Sequence, residues 1–365
     1  MTEDHNVYLR SVFFQITRML YQTETETETE TEAREETEVE EKEIHVLDLF
    51  CGCGGMSLGL KQAGLTVVAG IDIWSVAIQS YQQNHPDHLG ICGDLRELCP
   101  EELERRHGVQ RGGVDVLVGG PPCQSFSMAG KRDVSDPRNT LFMEYVRYLD
   151  YYQPRMFLME NVMGILSKKT EAGEKMIDVI AAELGKNYEV TIYTLWASDF
   201  EVPQNRRRVI LVGVRKDLGI VVPAIPLVIP TVDQRIPVGQ VLEPREVVGR
   251  EYYLSERARQ GIVRKAERNR SKGAGFHAQI LRMDRPSYTI PARYWKDGYD
   301  ALVQYSETEI RRLTLLELKR IQTFPDDYLL LGSKKDQVIQ IGNAVPCRLA
   351  YHLGKWISNI LRLPH

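Results

Sequence analysis

Short apolar runs separated by glycine, proline and acidic turns recur through the middle of the chain. Ile44 to Phe50, Thr66 to Ile71, Leu89 to Cys92, Val114 to Val118, Met156 to Met159, Tyr188 to Leu195 and Arg208 to Val214 each predict a strand. Between them lie stretches with helical spacing, including one after the glycine-rich turn at 51–55 and one from about Asn139 to Tyr152. Strands that alternate with helices predict an α/β fold with a doubly wound, mostly parallel sheet. In such a sheet the strand ends share one crevice, and Asp48, Asp72, Asp94, Cys123 and Glu160 all fall at or near such ends.

The pattern changes at both flanks. Leu9, Val12, Phe13, Ile16, Met19 and Leu20 mark an amphipathic helix, docked either on its own domain or on a partner. Thr23 to Glu32 then alternates Thr with Glu, which gives neither face anything to bury, so residues 1–43 read as a helix plus a disordered acidic linker. From about Asp217 the chain becomes proline-punctuated, and between Arg245 and Lys272 nine Lys or Arg face four Glu. That run is either a solvated helix face or a phosphate-tracking surface. Arg293 to Lys296 places Tyr294 and Trp295 among charges and allows the same two readings. Toward the end, Thr314 and Glu317 form a capping-box pattern for a helix that stops near Phe324-Pro325. Gln340 to Pro346 is expected to start a final helix through Ile360.

Composition narrows the class. The 43% hydrophobic and 26% charged residues are those of a soluble globular chain, and the length of 365 residues favours about two domains. The net charge of −4 conceals an asymmetry: residues 22–43 carry −9 and residues 1–21 balance, leaving +5 on the rest. A mild basic excess suits a polyanionic partner. The acidic, unprocessed-looking start and the absence of an apolar span predict an intracellular protein with no membrane role, nucleus or cytoplasm being left open. The six cysteines show neither CxxC pairs nor zinc-like spacing with histidine, so they read as reduced thiols, with no metal site.

Two stretches carry candidate chemistry. In Val118-Gly119-Gly120-Pro121-Pro122-Cys123-Gln124 a buried strand empties into a rigid turn that presents a thiol, either a nucleophile or a buried structural cysteine. In Cys51-Gly52-Cys53-Gly54-Gly55 a strand opens into a helix through glycines, with Asp72 closing the next strand twenty residues on. That arrangement fits a nucleoside ligand whose ribose meets the carboxylate, a nicotinamide dinucleotide included.

Over residues 44–360 the chain resembles the cytosine-5 DNA methyltransferases. The shared patterns occur in the family's order: Asp48 to Gly55; Asp72-Ile73; Gly93-Asp94; Gly120 to Gln124; Glu160-Asn161-Val162; Gln204 to Arg208; Arg312 to Pro325; and Gln340 to Val345. The resemblance implies S-adenosylmethionine as methyl donor and double-stranded DNA as substrate. It implies that Phe50 and Ile73 pack on adenine, that Asp72 holds the ribose, and that Asp94 bonds the adenine amine. Gly52, Gly54 and Gly55 would cradle the methionine end, with Asp48 and Pro122 also at the cofactor, and Asn343 and Val345 closing the pocket. The family more often has Glu where this chain has Asp72. Cys123 is then expected to attack carbon 6 of a flipped-out cytosine, with Glu160 at ring nitrogen 3, Arg208 at the base oxygen and Arg206 ordering the site. By the same resemblance residues 44–216 form the catalytic domain, 217–311 a smaller target-recognition domain, and 312–365 a hinge and helix returning to the first. The filler for the vacated base is expected from the loop at 127–135 or from the recognition region. The enzyme is read as a monomer, its N-terminal helix being the candidate for weak self-association. Two alternatives stay open: a tRNA cytosine-5 methyltransferase, although the Cys-Phe-Thr signature usual in that branch is absent, and a catalytically silent DNA-binding relative.

Overall fold

The computed structural model describes residues 43–122, 140–170, 173–229, 231–271 and 278–362. The amphipathic helix and acidic tract, Cys123 and the loop at 127–135 lie outside these residues.

In chain order the main elements are β1 (His45–Leu49), α1 (Gly55–Gln62), β2 (Thr66–Asp72), α2 (Ser75–Asn84), β3 (Leu89–Cys92), α3 (Pro100–His107), β4 (Val116–Gly119), α4 (Thr140–Tyr152) and β5 (Met156–Val162). Then follow α5 (Met176–Leu184), β6 (Tyr188–Trp196), β7 (Arg207–Arg215), α6 (Glu256–Ser271), the single turn α7 (Tyr294–Asp297), β8 (Leu302–Gln304), β9 (Ile310–Arg312), α8 (Leu315–Ile321), α9 (Lys334–Asn343) and α10 (Cys347–Leu361). The seven-stranded sheet has the order β3-β2-β1-β4-β5-β7-β6. Its first five strands pair in parallel, and β7 runs antiparallel to both β5 and β6. Chain order reverses between β1 and β4, which places a crevice at their carboxyl ends.

The strands are apolar because both faces are covered. Leu47, Leu49, Leu117 and Phe157 pack toward Tyr145, Leu149 and Ile180 on one side. Val46, Val118, Leu158 and Ile210 pack toward Leu60 of α1 and Leu353, Trp356 and Ile357 of α10 on the other. The C-terminal helix therefore belongs to the same layered core as the first strand.

Between β7 and α8 the described chain is mostly irregular, punctuated by short 3-10 turns, with α6, α7 and the β8–β9 pair as its regular elements. Val238, Ile290, Ala301 and Val303 share a cluster with Leu313, Leu318 and Ile341. Two expectations change here. Tyr294, read as an aromatic among charges, is buried in that cluster, donates to the Ala301 carbonyl at 2.8 Å and accepts from the Leu313 N–H at 2.9 Å. Gln340 to Asn343 close α9 rather than open the last helix. Ser333 caps that earlier helix with Asp336, and Pro346, which cannot continue a helix, forces the break before α10. The Thr314/Glu317 capping box is present, and α8 ends at Ile321.

Candidate active site

Local chemistry at the end of β1 sets the geometry. Phe50, Gly52 and Gly54 all have positive φ (61°, 56° and 95°), a sequence of turns that costs little at the glycines and strains the phenylalanine. The bend is held by the Cys51 N–H on the Ile71 carbonyl at 3.0 Å and by the Gly52 N–H on Asp72 Oδ2 at 2.9 Å. Asp72 Oδ1 accepts from the Trp74 N–H at 2.8 Å, so two backbone donors fix its carboxylate. Burial nevertheless leaves Asp72 above the ordinary carboxylate range, the backbone bonds only partly offsetting it. Gly55 then starts α1 beneath the link between α9 and α10. A Cβ there would run into the Val345 carbonyl oxygen and lie 3.2 Å from Ala344 Cβ and Phe324 Cζ.

A cavity of about 680 Å³ opens above this turn. Asp48, Phe50 and Gly52 line it from β1 and the turn, Asp72, Ile73 and Asp94 from the ends of β2 and β3, and Pro122 and Glu160 from β4 and β5. Asn343 and Val345 line it from the opposite wall. Gly54 and Gly55 stand behind this lining as the start of α1. Sequence reasoning did not single out Trp74, Arg96 or Gln340, which also line it. Arg96 clamps Asp94 through Nε at 2.9 and 3.0 Å, and its hydrogen bonds hold Asp94 below the ordinary carboxylate range. Only its position two residues after an acid at a strand end signalled it.

Asp48 is 1% exposed and accepts from Ser57 Oγ at 2.6 Å, while Ser57 takes a bond from the Tyr81 hydroxyl at 3.2 Å. Burial, opposed by Ser57 and aided by Asp72, pushes the Asp48 carboxyl up to about 7. Beside this chain His85 and His88 stack 5.0 Å apart, and both are driven down to about 4 chiefly by burial.

The other end of the cavity is built by β4, the turn after it and β5, with β7 behind. Glu160 Oε1 lies 2.6 Å from Arg208 Nε. Glu160 Oε2 faces Gly120, where a Cβ would stand 3.3 Å away, so the glycine leaves the carboxylate uncovered. Asn161 Nδ2 donates to the Pro121 carbonyl at 3.1 Å and ties the turn that leads to Cys123 onto β5. Arg206 differs from Arg208. It is 2% exposed and, with no carboxylate partner among the described residues, donates to the Ile290 carbonyl at 3.2 Å and the Gly342 carbonyl at 3.0 Å. Burial, then the neighbouring Arg208, pulls its guanidinium down to about 9.

The arrangement can hold an elongated ligand with an apolar ring at Phe50 and Ile73, hydroxyls at Asp72 and positive charge near the carboxylates, with its far end facing the Glu160–Arg208 pair.

Comparison with known proteins bears on the family and the fold. The family model described as C-5 cytosine-specific DNA methylase matches residues 44–359. The type II methyltransferase M.DdeI of Desulfomicrobium norvegicum is 32% identical over 86% of this chain and 88% of its own length. M.NlaX of Neisseria lactamica is 34% identical over 82% and 91%. Among solved structures, a DNA modification methyltransferase encoded within an E. coli prophage superposes with a TM-score of 0.67 at 23% identity, over 87% of this chain and 99% of that one. Spodoptera frugiperda DNMT2 also gives 0.67, at 22% identity over 86% and 99%, a likeness of fold alone. No helix among the described residues is long and apolar enough to cross a membrane.

Proposed function

Because the chain belongs to the C-5 cytosine-specific DNA methylase family, we propose that this DNA cytosine-5 methyltransferase takes its methyl group from S-adenosylmethionine and acts on double-stranded DNA with Cys123 as nucleophile. The observation that carries this reading is one cavity with carboxylates and an apolar floor at one end and the Glu160–Arg208 pair at the other. The turn that leads to Cys123 lines it beside Glu160.

The residues suit that cofactor. Phe50 and Ile73 offer apolar faces to a purine, Asp72 an acceptor for ribose hydroxyls and Asp94 an acceptor for an amine. Asp48 and Asp72 place carboxylates where a cationic methionine end would lie, and Gly52, where a Cβ would meet nothing within 4 Å, keeps a side chain out of its way, while Gly54 and Gly55 let the turn pack closely on His85 and on the Val345 carbonyl. When bound, the cofactor supplies a methyl group activated by a sulfonium. Asn343 and Val345 would close over it.

Cytosine is a weak nucleophile at carbon 5. The Cys123 thiolate adds to carbon 6, the ring electrons move toward nitrogen 3, and Glu160 supplies the proton that nitrogen 3 takes up, leaving carbon 5 enamine-like. Arg208 holds Glu160 and stabilises charge at the base oxygen. After transfer, a base removes the carbon 5 proton, nitrogen 3 returns its proton to Glu160, the 5,6 double bond re-forms and the thiolate leaves. A bound water is our candidate for that base. The target reaches these groups only when flipped from the stack, at a cost of about a few kcal/mol, offset by pocket contacts and a filler from the loop at 127–135 or from residues 217–311. We assign residues 217–311 to target recognition, residues 44–216 to catalysis, and residues 312–365 to the return to the catalytic domain.

Labelled S-adenosylmethionine offered in parallel with unmethylated genomic DNA and total tRNA tests the reading, with bisulfite sequencing of the labelled pool. Label at one short DNA motif is the expected result. Label confined to tRNA would overturn it, as would DNA binding without any transfer.

A further inference from the structure

Resting on the duplex-DNA reading above, we propose that a second groove, walled by Trp196, Asn205 and Tyr288, seats one nucleotide of the target strand beside the flipped cytosine. Its base lies against the aromatic rings and its phosphate meets Arg207.

The groove has a volume of about 580 Å³ and joins the ends of β6 and β7 to the segment at 279–300. Its position ties it to the chemistry. Trp196 pairs with Arg207 at the last step of the β6–β7 ladder, and the next pair is Leu195 with Arg208, the partner of Glu160. One residue thus separates the groove from the ion pair, with alternation along β7 sending Arg207 to the face opposite Arg208.

Its walls are suited to a nucleotide. Trp196 and Tyr288 are each 38% exposed, an unusual display for two large rings lining one concave surface. Stacking on such rings is sequence-tolerant because every base has a π face. Asn205 has its backbone fixed by the Ser287 carbonyl at 2.7 Å and by the Thr289 hydroxyl at 2.9 Å. Its Oδ1 is buried with no donor among the described residues, which a base amine or sugar hydroxyl would supply.

Charge complementarity selects the occupant. Of the cations in the groove wall, Arg235 is paired with Asp199 at 2.6 Å and Arg293 with Asp300 at 2.6 Å. Arg207 stands outside the wall, its guanidinium carbon 5.3 Å from the centroid of the Trp196 ring, and makes no ion pair among the described residues. One such cation beside rings and an amide matches a single nucleotide better than a polyphosphate or an acidic peptide.

Binding of a fluorescent duplex by wild type, Trp196→Ala, Trp196→Phe and Arg207→Gln is measured across salt concentrations, with cofactor binding followed by calorimetry as the check on folding. We expect Trp196→Ala to weaken duplex binding about tenfold and Trp196→Phe to recover most of it. Arg207→Gln should reduce the slope of log affinity against log salt by about 0.9. Cofactor affinity should be unchanged in all three. A wild type with steep salt dependence, and variants that match it in affinity and slope, would overturn the groove assignment and leave the methyltransferase reading intact. A wild type that fails to bind duplex DNA would overturn that reading and the groove with it.

Discussion

Replacing Asp48 with asparagine should change how stability depends on pH, with a sign set by burial. The native carboxyl is pushed up to about 7 from an ordinary value of 3.8, first by burial and then by Asp72, against the hydrogen bonds from Ser57. Between these values the native state holds a proton that the unfolded chain has released. The unfolding free energy therefore falls as pH rises through this window, and the loss is complete above the folded value. About three pH units at 1.36 kcal/mol each amount to roughly 4 kcal/mol, of which about 3 kcal/mol falls between pH 5 and 8. Asp48→Asn keeps an acceptor for Ser57 Oγ and removes the titration, so its stability relative to wild type should rise by that amount across the same interval. Urea unfolding of both proteins at pH 5, 6, 7 and 8 measures the difference directly. Parallel curves would refute the reasoning and show that Asp48 ionises as freely in the native state as in the unfolded chain. A cationic cofactor adds a second readout: near pH 7 the wild type should release part of a proton on binding S-adenosylmethionine and the variant none. Calorimetry in buffers of differing ionisation enthalpy reports this.

Gly55→Ala should lower stability by about 1–3 kcal/mol and weaken cofactor binding, because the new methyl meets the backbone at Val345 rather than a side chain that can swing away; an unchanged melting temperature would show that the α9–α10 link yields. Glu317→Ala should cost about 3–5 kcal/mol in denaturant unfolding, since it strands Arg311 in a pair whose side chains are both fully buried. A loss below about 1 kcal/mol would show that water or another carboxylate reaches Arg311. Cys123→Ala should abolish methyl transfer while calorimetry finds cofactor affinity unchanged; transfer at the wild-type rate would remove Cys123 from the mechanism.

Much of the half of the chain that forms the seven-stranded sheet was legible because its signals are local. Buried parallel strands read as apolar runs, and a glycine turn with an acid closing the next strand reads as one wall of a pocket. The cavity accordingly gathers Phe50, Asp72, Ile73, Asp94 and Glu160 from stretches already marked in the sequence. Tyr294 shows where local reading stops. Its neighbours Arg293, Trp295 and Lys296 are polar or exposed, yet its ring lies in the core because partners at Ala301 and Leu313 satisfy its hydroxyl. The stretch from Gln340 to Pro346 was read as the start of the last helix, and assigning Gln340 to a separate, earlier helix required the Ser333 cap.

The hardest distinction lay within Arg206-Arg207-Arg208, three like residues whose tasks differ. A strand alternates its faces, so Arg207 parts from its neighbours, but alternation cannot separate Arg206 from Arg208. Long-range partners do so. Arg208 meets a carboxylate at the cavity, whereas Arg206 is buried against carbonyls 84 and 136 residues away. Gln204 reinforces the same junction: it accepts from the Ile290 N–H at 3.0 Å and donates to Gln322 Oε1 at 2.7 Å. Gln322 in turn donates to the Ile341 and Ala344 carbonyls at 2.7 and 2.9 Å. A buried guanidinium whose hydrogen bonds go to carbonyls is costly, and here those bonds fasten the end of α9, which carries Asn343, to the strand that carries Arg208. Arg206 is thereby a bracket between the two walls of the cavity, and we propose that it acts on catalysis through their spacing.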